Sequence, residues 1–469
     1  MSSAEIWPYP GLRAFYPDEE YLFFGREAQV DAMVDRLAAT HFLAVVGSSG
    51  SGKSSLVNCG LRPALYRGLM ARAGSQWRIA QFRPGYAPLA ALAGALAEPG
   101  VLYGQFDAGP FSLAELVETT LRMSALGLCD ARDEAQLPAG CNLLVVVDQF
   151  EELFRYRKLG GGRTRSDQSA AEDATAFVNL LLAAAHEPQS RIYVVLTMRS
   201  DFLGDCAQFA GLPEAINRGQ YLVPRLTRDE LRRAITGPAA VAGGGIAPPL
   251  ATRLINDSGD NPDQLSILQH ALKRTWERWR SVGGAGALEL AHYEAIGGMA
   301  MALNQHAEET WDELPDDEAR RICAKVFKAL TDKSTDLRGI RRPTRLSDLC
   351  AIAEADQAAL QAVLERFREP GRSFLLPPAA VPLGADTVID ISHESLMRVW
   401  QRLRAWGEEE YESTRLFLRL ADTARLHAEG RASLWRDPDL RLARDWQRQQ
   451  QPTPAWAAQY ATDLQPALD

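Results

Sequence analysis

Strands and helices alternate through the first half of this chain and helices dominate the second. That order predicts an α/β domain on a parallel sheet, followed by a helical domain, a winged-helix domain and C-terminal helices. Two runs, Leu143-Leu144-Val145-Val146-Val147 and Ile192-Tyr193-Val194-Val195-Leu196, are continuously apolar, as strands covered on both faces are. A third, Phe42-Leu43-Ala44-Val45-Val46, runs into Gly47-Ser48-Ser49-Gly50-Ser51-Gly52-Lys53-Ser54, which has the spacing G-x-x-x-x-G-K-[ST]. The expected boundaries are a lead-in at 1–26, the α/β domain at 27–226, a helical domain at 227–310, a winged helix at 311–407 and a C-terminal extension at 408–469.

At 469 residues the chain exceeds one typical core, and length alone suggests about three domains. Its 46% hydrophobic and 24% charged residues are ordinary for a globular protein. A net charge of −9 disfavours a surface devoted to nucleic acid or anionic lipid. The six cysteines (Cys59, Cys129, Cys141, Cys206, Cys323 and Cys350) show neither C-x-x-C nor zinc-ligand spacing, so free thiols in a reducing compartment are expected. The start has no basic, then apolar, leader pattern, and no long apolar run follows. The expectation is a cytoplasmic chain with no membrane span.

Taken in order, Tyr9 to Phe15 offers a turn with apolar anchors. Phe23-Phe24-Gly25-Arg26-Glu27 then opens an amphipathic helix with Val30, Met33, Val34 and Leu37 on one face. An ordinary helix start explains Gly25-Arg26-Glu27 equally well. After the glycine loop, Ser54 to Asn58 can begin a helix, and Trp77 to Phe82 alternates like a strand before Pro84-Gly85. Ser112 and Glu115 form a capping box for a helix with Leu116, Val117 and Leu121 inward. The glycine-rich, charged stretch Gly160 to Ser169 reads as a surface loop, followed by a helix from Ala176 to Ala185. From Thr227 the pattern is helical, with joints at Gly243 to Gly245, Pro248-Pro249 and Gly283-Gly284. Leu265, Leu268, Leu272, Trp276 and Trp279 make an apolar stripe. Helices at Ile322 to Leu330 and Gln357 to Phe367 precede Ser373 to Leu376, a proline-rich tip and Val388 to Ile391, the order of a winged helix. Beyond Glu408 the chain is helical and carries Trp435, Trp446 and Trp456.

The chemistry concentrates in three places. Glycines let backbone N–H groups turn inward around phosphate oxygens, and the next helix adds its dipole. The nucleotide-binding stretch is therefore Gly47, Ser48, Ser49, Gly50, Ser51, Gly52, Lys53, Ser54 and Ser55, with Lys53 on the β- and γ-phosphates and Ser54 on Mg2+. Asp148, leaving a central strand, is the second Mg2+ group. Glu151 and Glu152 follow as candidate general bases, with Glu151 favoured. Acidic residues at a helix start also simply favour its dipole. Arg199, directly after a third strand, can contact the γ-phosphate, or pair with Asp201 or Asp205.

With these motifs in this order the sequence resembles the STAND class of signal-transducing P-loop ATPases, related to the NACHT and AP-ATPase families. The bacterial novel STAND subgroup matches best, over about residues 8 to 410. The resemblance implies an α/β P-loop NTPase with an additional-strand parallel sheet. It places Arg26 near the adenine, matches the NACHT pattern D-G-h-D-E-L to Asp148 through Leu153, and matches the T-x-R sensor to Thr197-Met198-Arg199. It sets Pro262, one residue out of the G-x-P spacing, against the base; a helix start is the alternative. His393, in Ser392-His393-Glu394 where the AP-ATPases have M-H-D, would touch the β-phosphate of ADP. The implied protein is an ATP/ADP switch with Mg2+, its nucleotide held between the NTPase and winged-helix domains. It hydrolyses ATP slowly, forms a homo-oligomer in the ATP state and serves bacterial defence. An unidentified sensor ligand and an effector protein are the expected partners. Two rivals stay open: a DNA-acting winged-helix ATPase, suggested by Arg338, Arg341, Arg342 and Arg345, and a nucleotide-binding scaffold without hydrolysis.

Overall fold

The computed structural model describes residues 6–104, 111–154, 165–187, 189–259, 264–333 and 339–460. They fall in two compact units, Met1–Tyr9 with Ala14–Leu265, and Pro10–Arg13 with Ser266–Asp469. The helices Arg228–Val241 and Pro248–Ser258, expected to begin a separate helical domain, belong to the first unit.

The first unit is built on β1 (Phe42–Gly47), β2 (Trp77–Phe82), β3 (Asn142–Val147), β4 (Ile192–Arg199) and β5 (Gln220–Leu222). They pair in the order β2-β3-β4-β1-β5, every pair parallel. β4 lies between the loop strand β1 and the acid-bearing β3, which is the additional-strand arrangement expected. The continuously apolar strands are the inner ones: β1 and β3 are buried at every position, and β4 at all but Arg199. The alternating strand, β2, lies at the sheet edge. Side chains one residue apart go to opposite faces. Thus Val145 and Val147 pack with Leu92, Leu121 and Phe177, whereas Leu144 and Val146 pack with Met33, Leu37 and Leu61. Ser112 caps the helix Leu113–Met123 as expected, accepting the Glu115 N–H at 3.2 Å while Glu115 accepts its own at 2.8 Å. The helix Arg165–His186 starts inside the stretch expected to be a loop at Gly160 to Ser169, whose residues 160–164 lie outside the described ones.

The second unit contains the winged helix. Its helices Asp317–Ala329, Leu346–Ala353 and Gln357–Arg368 carry a three-stranded antiparallel sheet, with Val388–Ile391 between Thr344–Arg345 and Leu375–Leu376. Phe327, Phe367 and Trp400 form its aromatic centre. Leu268, Leu272, Trp276 and Trp279 of the helix Gln264–Ser281 are buried, as their spacing predicts. The C-terminal helices Gln401–Ala428, Asp439–Gln450 and Pro454–Ala458 gather Phe417, Trp446 and Ala457 into a small core of their own. Among the described residues no helix is long and apolar enough to cross a membrane.

Candidate functional site

The carboxyl ends of β1, β2, β3 and β4 come together at one edge of the sheet, where ligands of open α/β sheets bind. At the end of β1, Gly50 and Gly52 take φ of 69° and 84°, which other residues adopt only with strain. A Cβ on Gly47 would lie 2.7 Å from Ser51 Oγ, so a larger residue there would have to displace that hydroxyl. Lys53 Nζ donates to the Gly47 and Ser48 carbonyls at 3.1 and 2.8 Å, which holds its charge over the loop. Ser51 Oγ is shielded from solvent and has no hydrogen-bond partner among the described residues. Left-handed glycines, a lysine over the loop and a hydroxyl in need of a partner fit a polyphosphate.

After the loop the chain is α-helical over Lys53–Ser55, π-helical over Leu56–Leu61 and α-helical again over Arg62–Tyr66. The wider π turn brings Gly60 against the helix Glu27–Thr40, where an added Cβ would lie 2.6 Å from Val30 Cγ2. Ser55 was expected to face the phosphates. Instead its hydroxyl accepts the Phe15 N–H at 3.2 Å. Asn58 Nδ2 donates to the Phe15 carbonyl at 2.9 Å and the Cys59 thiol to that of Tyr16 at 3.0 Å. The N-terminal segment is thereby strapped along this helix.

At the end of β3, Asp148 Oδ1 accepts the hydroxyls of Ser54 and Thr197 at 2.7 and 2.6 Å. One carboxylate thus ties the phosphate loop, β3 and β4 together. Gln149 has φ 58°, the left-handed conformation that glycine would take in D-G-h-D-E-L, and donates its N–H to Thr197 Oγ1 at 3.0 Å. The two glutamates, both buried, diverge. Glu151 Oε2 accepts the Arg199 N–H at 3.3 Å, and Glu152 Oε2 accepts the Gly85 N–H at 3.1 Å. Glu152 thus braces the turn after β2, and Glu151 stays with β4. Beside them Arg83 Nε lies 3.9 Å from Asp148 Oδ2.

Three predicted contacts look different in place. The Arg199 guanidinium pairs with Asp201 and lies 5.8 Å from the centre of the Phe202 ring. Arg26 is buried and donates to the carbonyls of Pro224 (2.8 Å) and Ser51 (3.2 Å), so it supports the loop from beneath. Burial holds its pKa below the usual arginine value, against the opposing charge of Glu230. His393 caps the helix Glu394–Val399, with Nδ1 accepting the Ser395 N–H at 3.1 Å. That assigns the ring proton to Nε2, which lies 2.9 Å from Ser266 Oγ. Pro262 lies outside the described residues.

Two arginines of the basic cluster, Arg341 and Arg342, are engaged internally. Arg341 is buried against Asp390 at 2.6 Å and the Ile391 carbonyl at 3.0 Å. Arg342 pairs with Asp332 at 3.0 Å and lies over the Tyr460 ring at 5.1 Å. Arg345 is exposed, and Arg338 lies outside the described residues. Sequence reasoning missed Arg83, the Thr197 hydroxyl as a partner of Asp148, and Ser266 beside His393. A signal for the first existed: Arg83 directly follows its strand as Asp148 directly follows the next.

Residues 8–433 match the family model described as Novel STAND NTPase 1. No curated protein matches. Solved structures with some likeness include the ORC2 protein of Aeropyrum pernix in ADPNP and ADP complexes, 12% identical with TM-score 0.39, covering 82% of this chain and 93% of that one. The ORC1 protein of the same organism, in complex with DNA, is 14% identical with TM-score 0.40, covering 85% and 96%. The Thermotoga maritima RuvB Holliday junction branch migration motor is 15% identical with TM-score 0.32, covering 82% and 97%.

Proposed function

Since the chain belongs to the novel STAND NTPase 1 family, we propose that it is a nucleotide-operated switch that binds ATP or ADP with Mg2+ and hydrolyses ATP slowly. The observation that carries this reading is Asp148 Oδ1, which receives hydroxyls from the phosphate loop and from β4 at once. Lys53 and the backbone of the glycine loop hold the phosphates, and Arg26 fixes the loop's shape through the Ser51 carbonyl. Ser54 and Asp148 are the residues to hold Mg2+, which when bound offsets charge on the phosphate oxygens. Glu151, buried beside β4, takes the proton from the attacking water; Arg199, at the end of β4, senses the γ-phosphate by leaving Asp201.

In the switch reading ATP favours a self-associating form, and His393 and Pro262 favour the ADP form. Nucleotides with different affinity for the two forms shift their populations. Sensor, effector and a role in bacterial defence complete the proposal by family likeness. The DNA-acting alternative draws no support from Arg341 and Arg342, whose guanidiniums are engaged internally.

The test is direct. Lys53→Ala should abolish copurifying nucleotide. Glu151→Gln should keep nucleotide and lower hydrolysis by about a hundredfold or more. His393→Ala should lose ADP faster than the wild type. Light scattering should show larger particles with an ATP analogue than with ADP; a single size in both would end the self-association reading. Glu151→Gln at full rate would move hydrolysis to another base or leave a scaffold.

A further inference from the structure

We propose that Arg83 is a positioning residue that sets how readily Asp148 takes a divalent cation, an inference that rests on Asp148 being the metal-side acid. The register pairs Phe82 with Val147, so Arg83 and Asp148 are the next residues on two adjacent parallel strands. The Asp148 N–H donates to the Phe82 carbonyl at 2.8 Å, which locks that juxtaposition into the sheet. The two carboxylate oxygens then divide. Oδ1 accepts Ser54 and Thr197, while Oδ2 lies 3.9 Å from Arg83 Nε.

The arginine's backbone is held from both sides. Phe82 before it is in the ladder, Pro84 after it is buried with fixed φ, and Gly85 gives its N–H to Glu152 at 3.1 Å. The side chain is 41% exposed, so the guanidinium can turn toward water while the backbone stays. A guanidinium at this distance repels any divalent cation taken by the same oxygen. Arg83 therefore raises the Mg2+ concentration the site needs, and links the edge strand β2 to metal affinity.

The full chain is titrated with free Mg2+ in the presence of a fluorescent ADP analogue, for the wild type, Arg83→Gln, Arg83→Lys and Asp148→Asn. Exposed ion pairs of this kind are modest, so Arg83→Gln should half-saturate at about three- to tenfold lower Mg2+. Arg83→Lys should titrate like the wild type. Affinity in EDTA should be the same for wild type and Arg83→Gln, which also certifies the fold. Asp148→Asn should lose the Mg2+ dependence. An unshifted Arg83→Gln alongside a Mg2+-blind Asp148→Asn would overturn the role of Arg83, as would a lysine variant shifted as far as the glutamine. Wild-type Mg2+ dependence in Asp148→Asn would instead overturn the metal-side reading of Asp148, and this inference with it.

Discussion

The Thr197 hydroxyl donates to Asp148 and accepts the N–H of Gln149, a residue already held at positive φ. Thr197→Val keeps the shape and removes both bonds. A buried N–H left without its acceptor costs about 1–3 kcal/mol, which urea denaturation should read. ATP hydrolysis should fall at least as steeply, because Asp148 loses one of two hydroxyl donors. Thr197→Ser should restore most of both. The loop Gly47 to Ser54 and Asp148 were legible because their chemistry lies in covalent spacing or in the residue directly after a strand. Thr197 as the partner of Asp148, and Arg83 opposite its other oxygen, depend on which strands are neighbours and in what register. Ser55, directly after the motif, accepts the Phe15 N–H with its hydroxyl, a contact that spacing does not announce.

The element that most shapes the site without touching nucleotide chemistry is the π segment Leu56–Leu61. Its Gly60 lets the helix Glu27–Thr40 approach so closely that an added methyl would stand 2.6 Å from Val30 Cγ2. Gly60→Ala should therefore lower stability by about 1–3 kcal/mol, since overpacking outweighs the alanine's better helix propensity. A thermal melt checks the sign, and Val30→Ala in the same chain should relieve part of the loss. Nothing in Leu56-Val57-Asn58-Cys59-Gly60-Leu61 announces a π turn, because tertiary packing selects it over the α-helix. The central strands were readable for the opposite reason. Burial on both faces leaves an unbroken apolar run, Phe42 to Val46 in β1 and Leu143 to Val147 in β3, that announces itself in any register. The winged helix was readable from the order of its elements, whereas the burial of Arg341 against Asp390 was not: a basic cluster looks alike whether it faces water or a carboxylate.

At the scale of the whole molecule the two units differ in what they bury. The first unit's sheet core is apolar, while the second encloses His270 and His306, whose Nε2 and Nδ1 lie 3.0 Å apart. Burial, with help from Arg274 and Lys273, pushes His270 down to about 3, and burial holds His306 well below the usual histidine range. In the unfolded chain both titrate near the ordinary value of about 6.5. The unfolded state thus binds more protons between those values, and stability is lost as pH falls from about 6.5 towards 3. Glu277, raised by burial, acts in the opposite sense, so the two histidines must outweigh it. The melting transition should fall between pH 7.5 and pH 5, and replacing both histidines with glutamine should flatten that dependence. The division at Leu265 and Ser266 was not legible, because helical periodicity runs through it without a break.

The strap of Phe15 and Tyr16 along the helix after the phosphate loop turns Cys59 into a built-in gauge. Its thiol is buried, donates to Tyr16, and is pushed up to about 12, mainly by burial and then by the nearby Glu19 and Glu20. Thiolate is the species that alkylates, so Cys59 should react with a maleimide far more slowly than the half-buried Cys129 and Cys350. Each lifting of the strap uncovers it. The alkylation rate of Cys59, followed by peptide mass with ADP and with an ATP analogue, then reports how tightly the chain's first segment is fastened in each nucleotide state.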